Sequence, residues 1–194
     1  MWQAMVDMGW AGISLPDTFG GSGMGVGSAV PVFEALGSGL LGTPLLSTTL
    51  AGQLIWRAGG ESAADWLRRL CGGAVGSVAL LDQADWGAAN VGVELNPDGT
   101  LSGTKRYVAD AGVADIFIAV ANEGGAPVLA IVERDALGEV AISRNTLIDL
   151  TKRAGNVDFT GAEPAQVIRG DSVATALRDT LLLGALFTAA EAAG

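Results

Sequence analysis

The chemistry open to this chain is narrowed first by what it lacks. Its 194 residues contain no histidine. That removes Ser-His-Asp and Cys-His nucleophilic catalysis, together with histidine-based metal sites. Cys71 is the single cysteine, so no internal disulfide forms. A small apolar role near a helix end suits it better than that of a nucleophile. Two glycine-rich runs could in principle hold a phosphate through backbone amides. The first, GSGLLG at 37–42, has dinucleotide-fingerprint spacing, but that motif needs a strand before it and a helix opening from it. Here a helical pattern precedes it and Thr43-Pro44 follows, so it reads as a helix end and turn. The second, FGGSGMG at 19–25, is open between an anion cradle and a tight loop that permits close backbone approach. In DLTKR at 149–153, Asp149 and Arg153 could pair and cap a turn, worth roughly a kcal/mol or less at a surface. None of these patterns assigns a catalytic residue or a metal ligand.

Hydrophobic residues make up 49% of the chain and charged residues 16%, which predicts a packed core rather than disorder. The net charge of -10 and the absence of a basic stripe argue against a nucleic-acid partner. A small anionic ligand needs only a local cluster of donors and stays open. No leader-like segment is visible at the amino terminus. The apolar tail LLLGALFTAAEAA at 181–193 is broken by Glu191 and too short to span a bilayer, so it predicts a buried core helix and no membrane partner. The expected location is cytoplasmic, which suits a lone cysteine.

The elements that must position any site change character along the chain. Residues 2–8 form a short amphipathic helix, and GWAGISLP at 9–16 reads as a turn into an extended stretch stopped by Pro16. Val26, Val30, Phe33 and Leu36 recur at helical spacing, as do Leu46, Leu50 and Leu54. A further helix is expected over 61–71, with Glu61 early and Arg68 and Arg69 late, a charge order that suits the helix dipole. Near Val75 the period becomes that of strands. These are expected at 75–81, 91–95, 101–108, 115–121, 127–133, 139–143, 155–159 and 165–169, with Gly, Pro, Asn and Asp between them. No helical segment separates them, so a mainly antiparallel sandwich or barrel is predicted rather than a βαβ sheet. From Asp171 the helical period returns, with Leu182, Leu186, Ala189 and Ala193 along one face.

Two segments, GWAGISLPDTFGGSGMG at 9–25 and LSGTKRYVADAGVAD at 101–115, followed by DLTKRAGNVDF at 149–159, resemble in order and spacing the amino-terminal and middle domains of the acyl-CoA dehydrogenase family of flavoproteins. The resemblance implies an α+β fold with three parts. These are an amino-terminal helical domain at 1–73, a middle β domain at 74–170, and the opening helix of a truncated carboxy-terminal bundle at 171–194. It implies an oxidoreductase of lipid catabolism (β-oxidation) that binds FAD and dehydrogenates an acyl-CoA thioester. Electrons would pass to an electron-transfer flavoprotein or similar acceptor, and the full-length form would be a homo- or hetero-tetramer. The family's Gly-x-Lys pattern falls on Gly103, Lys105, Tyr107, Val108, Ala109, Ala114 and Asp115. By resemblance Tyr107 lies beside the flavin ring and Val108 offers backbone contacts. Ala109 replaces a residue that usually carries a hydroxyl.

The chain departs from the family upstream. Where relatives carry Thr-Glu-Pro and then Gly-Ser-Asp, it has Leu81-Asp82-Gln83-Ala84-Asp85-Trp86-Gly87. Leu81 and Asp82 are the cofactor-contact candidates that remain. In relatives the base that removes the proton is a glutamate of the third domain, a position beyond Gly194, so the isolated chain is expected to be inactive. Three readings follow: a fragment of a flavin-dependent dehydrogenase, a non-catalytic subunit of a heteromeric one with a degraded flavin site, and an unrelated helical and β binding module.

Overall fold

The computed structural model describes residues 1–82 and 92–194. The expected segment Gln83–Gly87, with Trp86, and Val91 of the expected second strand lie outside the described residues. The chain divides into two compact units, Met1–Gly76 with Ala174–Gly194, and Ser77–Val173.

The first unit is helical. It contains α1 (Trp2–Asp7), α2 (Val30–Ser38), α3 (Leu45–Gly59), α4 (Ala64–Cys71) and most of α5 (Ser172–Ala193). Pro31 sits in the first turn of α2, where its missing N–H costs no hydrogen bond. Asp65 opens α4 and Arg68 and Arg69 close it, in accord with the helix dipole. Met5, Phe33, Leu36, Leu45 and Phe187 form a core cluster, in which the Phe33 and Phe187 rings lie 4.5 Å apart. Gly37 explains the GSGLLG run. A Cβ at Gly37 would overlap the backbone carbonyl of Glu191, so the glycine permits α2 and α5 to touch. The run is a helix end and turn, as its flanks predicted: Leu41 N–H closes back on Leu36 C=O at 3.0 Å.

GWAGISLP is not extended. Trp10–Gly12 is a turn of 3-10 helix, and Ile13 keeps right-handed helical angles. The segment is wedged against the glycine loop that follows, which an extended strand could not accommodate. Gln53 of α3 secures it, donating to both the carbonyl and the hydroxyl of Ser14 at 3.0 Å.

Helix α5 starts at Ser172 and is therefore longer than the apolar tail alone suggested. By length and composition it could cross a membrane. Its Ala176, Thr180 and Phe187 row is buried, whereas Leu181, Leu182 and Leu186 are exposed. The face predicted from Leu182, Leu186, Ala189 and Ala193 is therefore turned outward.

The second unit carries the strands: β1 (Gly76–Ala79, from Ser77), β2 (Glu94–Leu95), β3 (Leu101–Ser102), β4 (Thr104–Ala109), β5 (Ile116–Glu123), β6 (Ala126–Glu133), β7 (Ile142–Arg144), β8 (Ala154–Asp158) and β9 (Gln166–Ile168). The strand expected over 101–108 is broken at Gly103, and the one expected at 139–143 begins at Ile142. One sheet runs β3-β2-β5-β6-β9 with β1 also on β5. The other runs β4-β8-β7. The β2–β3, β5–β6, β6–β9, β4–β8 and β7–β8 pairs are antiparallel, and β2 runs parallel to β5. Strand β5 is buried on both faces from Ile116 to Ala121, which is why its sequence is a continuous apolar run rather than an alternating one. Phe117 of β5 meets Phe159 edge to face. The molecule is thus α+β, with a helical part followed by a mainly antiparallel β part.

Candidate functional site

In the first unit the glycine loop spends its backbone on itself. The amides of Gly20, Gly21, Ser22, Gly23 and Met24 donate to the carbonyls of Asp17, Pro16, Gly12, Leu15 and Ile13 at 2.9–3.3 Å. These five amides are all taken up within the loop and the segment before it, which favours the tight-loop reading over the phosphate cradle. A Cβ at Gly21 would overlap the Leu15 carbonyl. The loop is a close-packed clasp on the segment before it. Cys71, at the end of α4, lies against Gly12. Burial pushes its thiol up to about 11, away from reactivity.

In the second unit the five residues named from the sequence, Leu81, Asp82, Tyr107, Val108 and Ala109, meet around one irregularity in β4. Lys105 pairs with Val157 and Val108 with Gly155. Two residues of β4 therefore span what one residue of β8 spans, which makes a β-bulge at Arg106–Tyr107. The bulge re-phases the strand. Lys105 and Val108 point inward and are buried, while Arg106 and Tyr107 are consecutively exposed. Tyr107 has φ 51, a left-handed conformation that non-glycine residues rarely adopt. The two amides displaced from the ladder find other acceptors. Arg106 N–H donates to Leu81 C=O at 2.6 Å, and Tyr107 N–H donates to Asn156 Oδ1 at 3.3 Å. Asn145 Nδ2 reaches the same Asn156 oxygen at 3.4 Å.

The surroundings fix what this edge can offer. Tyr107 is 45% exposed, so its aromatic side chain is open to solvent. Val108 can contribute only main chain, because its side chain is inside. Ala109 is exposed and supplies a methyl group, while its carbonyl accepts from Ser77 Oγ at 2.5 Å. Asp82 faces Lys105, whose Nζ lies 2.7 Å from Asp82 Oδ1 and 3.0 Å from Leu80 C=O. Burial lowers the Lys105 pKa below the ordinary lysine value, and the Asp82 carboxylate opposes that shift. Lys105 and Asn156 were not marked as site residues from sequence. An inward lysine two positions before the exposed aromatic was the available signal, but the bulge hid which way it points.

The DLTKR segment divides its roles differently from the expected Asp149–Arg153 pair. Asp149 caps its own turn through the Thr151 amide and hydroxyl at 2.8 and 2.7 Å. Arg153 instead pairs with Asp110 at 3.0 Å, at the exit of β4, where Asp110 also has positive φ. A cleft of about 710 Å³ opens beside this pair, with Arg134, Arg144, Asp135 and Glu139 in its walls. Arg134 is engaged there with the carbonyls of Ala111 and Ala114 at 2.6 Å each.

Residues 1–74 match the model of the acyl-CoA dehydrogenase N-terminal domain. The acyl-CoA dehydrogenase FadE27 of Mycobacterium tuberculosis is 30% identical over 183 residues, which cover 90% of this chain and 47% of that protein. The chain belongs to the acyl-CoA dehydrogenase family. Solved structures of the family share its fold. A variant of the Tcur3481-Tcur3483 steroid ACAD superposes with a TM-score of 0.79 at 27% identity, over 98% of this chain and 52% of that one. An acyl-CoA dehydrogenase complexed with FAD from Bacillus anthracis gives a TM-score of 0.76 at 19% identity, over 98% and 36%. The chain thus spans about half or less of the length of each of these acyl-CoA dehydrogenases. Membership in this family removes the reading as an unrelated binding module.

Proposed function

We propose that this chain supplies the amino-terminal and middle parts of a flavin-dependent acyl-CoA dehydrogenase, with FAD as cofactor and an acyl-CoA thioester as substrate. The observation that carries the reading is the β4 bulge, which turns Tyr107 outward between the buried Lys105 and Val108. The residues present fit a flavin in part. Tyr107 provides a face for a planar ring and Val108 provides main-chain contact. Leu81 and Asp82 line the adjoining segment. Ala109 lacks the hydroxyl that would hydrogen-bond the ring edge. Bound FAD would supply the hydride acceptor of an α,β-dehydrogenation. This chain's own contribution would be to bind and orient, with Tyr107 offering its ring and the β4 edge at Val108 its main chain. The proton-abstracting base is read as lying outside these 194 residues, so the isolated chain is inactive.

In this reading residues 1–73 are the amino-terminal domain, 74–170 the middle domain and 171–194 the start of the helical third domain. The outward leucines of α5 then meet further helices of a bundle rather than lipid. An electron-transfer flavoprotein or similar acceptor, a tetrameric assembly and a cytoplasmic location complete it. The test is to titrate the chain with FAD and follow the quenching of flavin fluorescence. Saturable quenching that Tyr107→Ala weakens supports the reading, and its absence at micromolar protein sinks flavin binding by this chain.

A second reading, a non-catalytic subunit of a heteromeric dehydrogenase, draws on Ala109 and on Leu81-Asp82-Gln83 standing where relatives carry Thr-Glu-Pro. The Tcur3481-Tcur3483 steroid ACAD, whose fold this chain shares, is named as a pair. Co-expression with the product of a neighbouring dehydrogenase gene separates the two. One flavin per pair of chains, with none on this chain alone, favours the second.

A further inference from the structure

Lys105 plays no part in the reading above, yet its position is energetically the least expected in the second unit. It is fully buried. An ammonium group persists inside a protein only where partners replace its water. Its partners are Leu80 C=O at 3.0 Å and Asp82 Oδ1 at 2.7 Å. Between those two residues, Leu81 C=O accepts the Arg106 N–H at 2.6 Å and forms a single β-bridge. Three consecutive residues of the segment after β1 thus grip two consecutive residues of β4, immediately before the bulge.

The bulge makes that grip necessary. At the bulge Arg106 N–H has no acceptor on β8, and a backbone amide in a sheet needs one from elsewhere. Leu81 C=O can supply that acceptor only if residues 80–82 lie along β4. A leucine or methionine at position 105 would fill the same volume, but nothing would then hold Leu80 and Asp82 at that place.

We propose that Lys105 is a positioning residue for the flavin-facing edge: its ammonium clamps Leu80 and Asp82 beneath β4, which holds Leu81 on Arg106 and keeps Tyr107 turned outward. The flavin-facing part of this statement rests on the function proposed above. Burial lowers the Lys105 pKa, and the Asp82 carboxylate opposes that shift and favours the charged form.

The test uses the whole chain in three forms. These are the wild type, the double variant Lys105→Met with Asp82→Leu, and the single variant Asp82→Asn. The double variant replaces the ion pair by apolar groups and leaves no orphaned charge, a change that proteins often tolerate. Asp82→Asn keeps an acceptor for the ammonium. Two quantities are read: amide hydrogen exchange at Arg106 against Ile118 in β5, and FAD affinity by fluorescence quenching. In the double variant we expect Ile118 to stay protected, Arg106 to exchange roughly tenfold faster, and FAD to bind roughly tenfold more weakly. Asp82→Asn falls between the two on both scales.

Unchanged exchange at Arg106 overturns the clamp whether or not flavin binds. Faster exchange with unchanged FAD affinity also overturns the proposal, because the edge would not then need its clamp. If the double variant loses Ile118 protection as well, Asp82→Asn decides by the same two criteria. If the wild type binds no FAD, the proposed function fails for this chain. Arg106 exchange alone then rules on the clamp, a rise supporting it and constancy overturning it.

Discussion

The glycine loop at 19–25 and the bulged edge at 105–109 both carry part of the family resemblance, and the structure treats them in opposite ways. The loop turns every amide from Gly20 to Met24 onto its own neighbours. The edge gives up regular pairing, accepts a left-handed tyrosine and leaves that ring exposed. A segment whose hydrogen bonds close locally is finished as structure and has nothing to offer a ligand. A segment that departs from regular pairing and is held there by other residues is where the function proposed above places ligand contact.

The contrast can be broken from either side. The largest effect belongs to Gly21→Val. Its side chain would drive into the Leu15 carbonyl, and we expect a loss of about 3 kcal/mol in urea unfolding, with FAD affinity per folded molecule unchanged. A folded variant with altered flavin binding would show that the loop does more than pack. Next comes the thiol of Cys71. With a value of about 11, it should react with a maleimide at pH 8 about 100-fold more slowly than in the urea-unfolded chain. The rate should climb with pH until about 11, since only the thiolate attacks. A fast reaction in the native protein would mean that the clasp around Gly12 opens.

Smaller effects test the β4 edge. Tyr107→Asn should weaken FAD roughly tenfold while raising stability by up to about 1 kcal/mol, because asparagine tolerates positive φ better than tyrosine. A joint measurement of melting and titration checks both signs, and a loss of stability would remove strain from the account. The smallest effect is expected from Ala109→Thr. Restoring a hydroxyl at an exposed strand position should tighten flavin binding about fivefold, the worth of one net hydrogen bond. Unchanged affinity would place the ring edge elsewhere.

Much of the fold was legible because its elements obey their periods over long stretches. Helix α3 and the β5–β6 pair follow directly from Leu46, Leu50 and Leu54 and from the apolar run DIFIAVA. What escaped were single-residue events. A period-two reading of TKRYVA puts Lys105, Tyr107 and Ala109 on one face, and the extra residue at the bulge reverses the tyrosine relative to the lysine. No local signal announces such an insertion, because the groups that satisfy its amides, Leu81 C=O and Asn156 Oδ1, come from distant segments. GWAGISLP failed for a similar reason. Its β-forming residues were outweighed by backbone packing against Gly21. In α5 the stripe through Leu182 and Leu186 runs along the outward side, and Phe187, one position away, packs on Phe33.

The partnership of Phe33 with Phe187 has a bearing on the order in which the chain organises itself. The first unit is discontinuous: its opening helices and its final helix are separated by the whole of Ser77–Val173. Bringing those pieces together requires closing a very long loop, whose entropic cost is reduced if the intervening stretch has already collapsed. The β unit, continuous and rich in neighbouring antiparallel pairs, is the part able to do so first during synthesis. The helices at the start of the chain would then wait, incompletely packed, until residue 187 emerges, and a ribosome-stalled chain ending before it should display an amino-terminal region open to proteolysis beside an already protected β unit.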